Sequence, residues 1–262
     1  MAAPSLIDLH THSTASDGTV APSALMAAAR EVGLRVVALT DHDTTDGWSA
    51  AAEALPSGLT LVRGAEISCT AGGVSLHLLG YLFDPSYQPL AEALEALRES
   101  RVRRAETMVA ALLADGVPVT WEQVRALAGG AVGRPHVGQA LVASGVVGSL
   151  AEAFSGEWIG TGGRYWTPKL ELDAAEAISL VAQAGGVTVF AHPGAASRGR
   201  IVSDEVISDL AAAGLGGLEV SHQDHTSQMR EHLQGLAGDS GWWTPGEATS
   251  TGPTSASGWV RM

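Results

Sequence analysis

One cysteine, Cys69, stands in 262 residues. That excludes an internal disulfide framework and suits a reducing compartment. Lysine is just as scarce: Lys169 is the only one. Charged residues make up 16% of the chain, and the formal net charge is −13, which argues against a generic nucleic-acid-coating surface and against a stable DNA complex. No apolar run reaches the roughly 18 residues that a membrane span requires, and no basic-then-apolar leader opens the sequence. The expectation is a soluble cytoplasmic protein. A cluster of acidic metal ligands would add to the negative count and be neutralised on binding, so the charge leaves a nucleotide substrate open.

What is present starts with Leu6-Ile7-Asp8-Leu9-His10-Thr11-His12, followed by Asp17-Gly18. Side chains two apart on a strand point to one face, so His10 and His12 can offer two imidazoles to one ion. Imidazole suits zinc, iron or manganese, and Asp17 adds a hard oxygen donor.

The chain then alternates buried strands and helices. Helices are expected over Ala21 to Val32, Trp48 to Ala54, Asp173 to Ala184 and Asp204 to Ala213, with Pro22 and Gly33 as start and stop signals. Strands are expected at Leu6 to His10, Arg35 to Thr40, Leu59 to Ser68, Ser75 to Leu82, Val187 to Ala191 and Gly217 to Val220. This rhythm implies parallel βαβ units. It is interrupted by a long helical stretch, Leu90 to Leu113, and shorter helices through Phe154. The expected organisation is a barrel part at 1–88, a helical insertion at 89–167, the rest of the barrel at 168–237, and an aberrant tail at 238–262.

His10, His12, His42, Glu66, His192 and His222 each fall at or just past the C-terminal end of an expected strand, and His77 falls inside one. In parallel α/β barrels that rim carries the active site. Histidines kept only for packing would not favour one end of successive strands, so a metal site is expected.

These motifs resemble the PHP family, named for polymerase and histidinol phosphatase domains. The resemblance rests on Asp8-Leu9-His10-Thr11-His12-Ser13 with Asp17-Gly18, on Leu39-Thr40-Asp41-His42-Asp43-Thr44, and on Glu66, His77 and Ala191-His192-Pro193. It implies a distorted seven-stranded (β/α)7 barrel with up to three divalent metals. Within the family, Thr40 to Gly47, the insertion with Gly133-Arg134-Pro135-His136, and Leu218-Glu219-Val220 before His222 are most similar to bacterial nucleoside 3′,5′-bisphosphate phosphatases, which also trim RNA from the 5′ end.

By that similarity His10, His12 and Glu66 hold one metal, and Glu66 bridges to a second held by His77 and His192. Asp17 and His42 hold the third. A hydroxide activated near Glu66, His77 and His192 would attack the phosphoryl group, since binding to such ions lowers the pKa of water from 15.7 towards about 7. Arg134, through its bidentate fork, and His136 are candidates for a second phosphate, and His222 for a substrate contact. Asp41 reads as an outer partner orienting a histidine. Asp224 and His225 lie near the rim, and His232 reads as surface. Manganese is preferred as the ion, with zinc, iron or magnesium as alternatives.

One departure stands out. The family pattern ends on a strand and a motif close to Gly-Ser-Asp-Phe-His-Gly, whose Asp and His complete the first and third sites. Here the sequence reads Asp239-Ser240-Gly241-Trp242-Trp243-Thr244-Pro245, then Gly246 to Gly252. Encoded as GGG GAA GCG ACT TCC ACG GGC, that last segment contains, one nucleotide out of phase, GGA AGC GAC TTC CAC GGG, which is the motif. A displaced reading frame from about Gly238 is the expectation, leaving the last strand missing and the chain with fewer metals.

The function expected is a metal-dependent phosphoesterase acting on 3′,5′-bisphosphonucleotides, AMP-like monoesters or RNA 5′ ends. The alternatives are a histidinol-phosphatase-type enzyme and a non-catalytic relic. An amidohydrolase would also open on His-x-His, but Lys169 lies outside any expected strand, so it supplies no bridging ligand.

Overall fold

The computed structural model describes residues 6–128, 130, 132–196 and 199–239. Of the tail expected to be aberrant, 238–262, all but Gly238 and Asp239 lies outside the described residues, and with it the shifted-frame reading.

Among the described residues seven strands form one sheet. β1 (Ile7–Thr11), β2 (Val36–Leu39) and β3 (Thr60–Ala71) run parallel, linked by helices α1 (Pro22–Glu31) and α2 (Trp48–Glu53). Pro22 sits in the first turn of α1, where its missing N–H costs nothing. The expectation of uniformly parallel units fails at β4 (Val74–Tyr81), which folds back as an antiparallel hairpin on β3 and pairs antiparallel with β6 (Val187–Phe190). The cause is local. Gly72 and Gly73 both take positive φ, 56° and 70°, and make a tight turn where a crossover helix would otherwise be needed.

The sheet order is β1-β2-β3-β4-β6-β7, where β7 is Gly217–Leu218, and β5 (Leu172–Asp173) pairs with the far end of β3. It curls strongly. The Tyr81 hydroxyl on β4 donates across the interior to the Leu9 carbonyl on β1 at 2.7 Å. Ala38, Leu79, Tyr81, Val189 and Ala191 fill the space inside the curl. A larger core lies outside it, where α1, α2, α7 (Ala174–Gln183) and α8 (Asp204–Ala212) cover the sheet through residues such as Met26, Ile67, Ile178 and Leu210. Asp173 and Ser203 cap α7 and α8 by accepting backbone N–H bonds.

Between β4 and β5 the chain builds α3 (Gln88–Ala114), α4 (Trp121–Leu127), α5 (Arg134–Ala143) and α6 (Leu150–Ala153). These helices bury their own core, including Met108, Leu112, Val124, Leu141 and Ile159. Thr120 and Gln123 close α4 with a reciprocal capping box. The last described helix, α9, spans Ser227–Asp239. Among the described residues no helix is long and apolar enough to cross a membrane.

Candidate metal centre

Glu66 is the hub. It lies in the middle of β3, where the strand leaves its parallel partner and continues into the hairpin; the expected strand end at Ser68 is overrun by three residues. Its carboxylate is buried, with five imidazoles around it. Oε2 lies 3.1 Å from His10 Nε2, 2.9 Å from His12 Nε2 and 3.3 Å from His42 Nδ1. Oε1 lies 2.8 Å from His77 Nδ1 and 2.9 Å from His192 Nε2.

Each imidazole reaches this point from a different part of the sheet. His10 is on β1 and His12 just past it, and their Nε2 atoms stand 3.1 Å apart. His42 follows β2 and forms an isolated bridge with Glu66. His77 lies on β4 opposite Ser68, which is two residues along from Glu66 and so on the same face. His192 follows β6 with φ of 35°, a left-handed conformation that an L-residue adopts only under constraint. Asp17, in the loop after β1, places Oδ1 3.4 Å from His12 Nδ1 and Oδ2 3.5 Å from His42 Nε2. All seven expected metal-site residues therefore converge.

The donors fit divalent cations. Three groups bring ligand atoms within 4.8 Å of one another: His10, His12 and Glu66; His12, Asp17 and His42; His42, Glu66 and His77. The Nδ1 atoms of His42 and His77 are buried without a hydrogen bond, although carboxylate oxygens lie close by. Burial pushes both rings below the ordinary histidine value, His77 to about 4, against the pull of Glu66. They stay neutral and keep a lone pair. Burial would raise Glu66, but His42, His77 and His10 hold its carboxyl well below the usual range. Neutral His42 and His77 beside an ionised carboxylate are donors that a borderline divalent ion prefers, whereas His10 and His12, raised against burial by their carboxylate neighbours, shed a proton when they bind one.

A partner that the sequence reading passed over is Glu219, one residue beyond β7. Its Oε1 lies 3.0 Å from His10 Nδ1, and its Oε2 accepts the His192 backbone N–H at 2.7 Å. Burial alone would raise Glu219, yet the neighbouring imidazoles, His10 first, hold it at about 2. The available signal was a lone carboxylate in the apolar run Leu218-Glu219-Val220.

Asp41 does not orient a histidine. It accepts from the Ser13 N–H and hydroxyl, both at 2.7 Å, and from the Ser16 hydroxyl at 2.6 Å, so it pins the loop that carries Asp17. His225 is fully used by backbone: Nε2 accepts from the Gly194 N–H at 3.1 Å and Nδ1 donates to the Val220 carbonyl at 2.9 Å. His222 is buried, its ring 5.2 Å from that of His192, and its Nδ1 accepts the Asp224 N–H. His232 is exposed and pairs with Asp204.

The helical segment meets this centre on one side. The Gly130 backbone packs on the Thr14 and Ala15 carbonyls, so closely that a Cβ there would come within 2.7 Å. Arg101 of α3 pairs with buried Asp43 and donates to the Ser68 hydroxyl at 2.7 Å. Arg104 donates to the Thr167 carbonyl, and Lys169 to Glu171. Arg134 begins α5 with its guanidinium over the Phe154 ring at 5.0 Å. His136, also on α5, is buried and its Nδ1 accepts the Gly133 N–H at 3.0 Å. Burial, and after it the charges of Arg134 and Arg101, press Arg104 down to about 9; burial and Arg101 take Lys169 to about 8. Arg101 also escaped the sequence reading, which weighs Lys169 only as a bridging metal ligand.

Comparison with known proteins agrees with this geometry. Residues 8–113 match the PHP domain family model. The chain is 33% identical over 223 residues, 84% of its length and 78% of the relative's, to a 3′,5′-nucleoside bisphosphate phosphatase of Chromobacterium violaceum. It is also 33% identical to a 5′-3′ exoribonuclease of Haemophilus influenzae, over 86% of this chain and 82% of that one. A crystal structure from Bifidobacterium adolescentis, assigned as a metal-dependent phosphoesterase, superposes with a TM-score of 0.86 at 36% identity, covering 95% of this chain and 92% of that one. With its residues gathered around Glu66 in this way, the chain belongs to the PHP family of metal-dependent phosphoesterases.

Proposed function

We propose that this chain hydrolyses phosphate monoesters of small nucleotides, 3′,5′-bisphosphonucleotides and AMP-like compounds among them, and acts on the 5′ ends of short RNA. The observation that carries the reading is one buried carboxylate ringed by five imidazoles, with a wall of buried cations beside it. The substrates named for the relatives from C. violaceum and H. influenzae support the choice of nucleotide and RNA.

His10, His12 and Glu66 would hold one divalent ion, Glu66, His77 and His192 a second, and Asp17 with His42 a third; manganese is the ion proposed. Such ions, when bound, make water nucleophilic near neutral pH and draw charge from the phosphoryl oxygens. Asp41 keeps the Ser13–Ser16 turn in place, and so keeps Asp17 aimed at His42. Arg101, Arg104, Arg134 and Lys169 crowd like charges into a buried space. Arg101 is held by Asp43, while Arg104 and Arg134 are pressed down by burial and by the neighbouring guanidinium charge, so an anion entering there relieves them, and guanidinium forks suit phosphate oxygens. Arg134 is the proposed contact for a second phosphate, with His136 offering its Nε2–H from the same helix. His222, beside His10 and His192, is proposed to face the substrate. The single buried cysteine fits a cytoplasmic location.

The test is phosphate release by the purified chain from a 3′,5′-bisphosphonucleotide, and nucleotide release from a 5′-phosphorylated oligoribonucleotide. Both are expected with manganese and abolished by chelator. Manganese-loaded protein that releases nothing from either substrate would overturn the reading.

A further inference from the structure

Four residues close a ring. Glu66 Oε2 meets His10 Nε2 at 3.1 Å, and His10 Nδ1 meets Glu219 Oε1 at 3.0 Å. Glu219 Oε2 accepts the His192 N–H at 2.7 Å, and His192 Nε2 returns to Glu66 Oε1 at 2.9 Å. One carboxylate, Glu66, therefore faces two imidazoles whose placement is set by the two oxygens of another.

We propose that Glu219 is the positioning residue for both halves of the metal centre: its two oxygens hold His10 Nδ1, Oε1 at 3.0 Å and Oε2 at 3.2 Å, and Oε2 also holds the His192 backbone. The inference rests on the metal-binding reading above.

The chemistry at His10 is determined by the acceptor. Neither Glu219 nor Glu66 has a proton to give, so in the metal-free ring both His10 nitrogens facing them carry one. When an ion takes the place of the Nε2 proton, Nδ1–H still donates to Glu219, and Nε2 presents its lone pair to the space it shares with His12 and Glu66. An outer acceptor of this kind fixes ring orientation and raises ligand basicity.

The effect at His192 is different in kind. Its φ of 35° is a strained backbone that persists only where the surroundings hold it. Two contacts do so: Glu219 takes the His192 N–H, and His225 Nε2 takes the Gly194 N–H two residues on. The two tethers meet, because His225 is itself anchored on the carbonyl of Val220, the residue after Glu219. The segment after β7 thus carries the device that aims the ligand after β6.

Two substitutions separate the roles. In Glu219→Gln the amide oxygen can still accept the His192 N–H, which leaves the NH2 group facing His10 Nδ1. That favours the opposite tautomer, with a proton on Nε2 where the lone pair is needed. In Glu219→Ala both contacts go.

The experiment strips the full chain of metal, titrates it with zinc, and follows uptake by calorimetry and the ring signals of His10 and His192 by ¹⁵N NMR. In the zinc-loaded wild type His10 is expected to keep its proton on Nδ1 and to leave Nε2 unprotonated. Glu219→Gln should shift it to Nε2–H and weaken the ion bound by His10 and His12 by about 10–100-fold, the range typical for loss of an outer partner. The ion bound by His77 and His192 should keep its affinity. Glu219→Ala should weaken both. Thermal melting in chelator accompanies each variant, and Glu219→Gln should melt close to wild type.

Glu219→Gln with an unshifted His10 tautomer, or with unaltered uptake of both ions, overturns the inference. So does a Glu219→Gln loss confined to the His192 ion. If Glu219→Ala does not fold, the tautomer and selective loss in Glu219→Gln decide the matter alone. A wild-type chain that takes up no zinc or manganese would overturn the metal reading itself, a failure distinct from wild-type uptake that the variants leave untouched.

Discussion

Arg101, halfway along the long helix α3, forms a buried ion pair with Asp43, the residue that follows the candidate ligand His42. Asp43 also accepts from the Ser68 N–H at 2.7 Å and from its hydroxyl at 2.8 Å. It holds a positive φ of 54°. The pair joins the inserted helices to the β2–α2 loop, two segments far apart in sequence. Removing one partner of a buried pair leaves an uncompensated charge and costs about 3–5 kcal/mol. Arg101→Met should therefore lower the denaturation midpoint by a corresponding amount. The double variant Arg101→Met, Asp43→Asn should lose less than the sum of the two single changes. Additive losses in urea unfolding would show that the two residues do not act as a pair.

The Asp17-Gly18 motif has a steric explanation. A Cβ on Gly18 would come within 2.6 Å of the His12 carbonyl oxygen and 2.8 Å of the Ser13 carbonyl carbon. Both are backbone atoms and cannot swing aside. Gly18→Ala should push the turn away from His12 and carry Asp17 off His42. Lower phosphoesterase activity, with weaker binding at the Asp17 group and little change at Glu66, is the expected result. An alanine variant with wild-type metal content and turnover would contradict it.

The sequence displays this site because strand ends are legible: an apolar run stops, and a His or Asp follows it. His10, His42 and His192 were placed in that way. Glu66 and His77 lie inside strands, where Gly72-Gly73 folds β3 back on itself as an antiparallel hairpin, a pairing that a strand–helix rhythm does not predict. Residues that act across long separations were harder to read. Arg101 continues the stripe of Leu90, Leu94, Leu97 and Met108 on α3, so a charge in an apolar stripe was its only signal. Glu219 needed two contacts, one 209 residues back and one 27 back, before its role could be seen.

Counting nitrogen atoms limits the metal load. The group at Asp17 uses Nδ1 of His12 and Nε2 of His42, while the same rings turn their other nitrogens to Glu66. A neutral imidazole has one lone pair, so it serves one ion at a time. With His12 committed beside His10, Asp17 and His42 are left as a pair of donors among the described residues. Two ions should bind tightly and a third more weakly. Asp17→Asn should abolish the weak step and leave the tight pair intact. Metal content after dialysis, read against titration of the stripped chain, checks this, and three ions retained with equal affinity would refute it.

Glu66 is the sharpest single test of the centre as a whole. Glutamine at that position keeps the shape and can still hydrogen-bond, but it loses the charge that two ions share and that faces five imidazoles. The neutral rings of His42 and His77 would then meet ions with no carboxylate between them. The loss in affinity for both ions should exceed the roughly 10–100-fold expected for an outer partner such as Glu219. Phosphate release should fall at least as far. The fold should survive, because Glu66 sits among polar groups and Gln conserves its volume. Melting in chelator measures that separately from metal uptake. If Glu66→Gln bound both ions as tightly as wild type, the carboxylate would not be the bridge, and the two-ion arrangement around β3 would have to be abandoned.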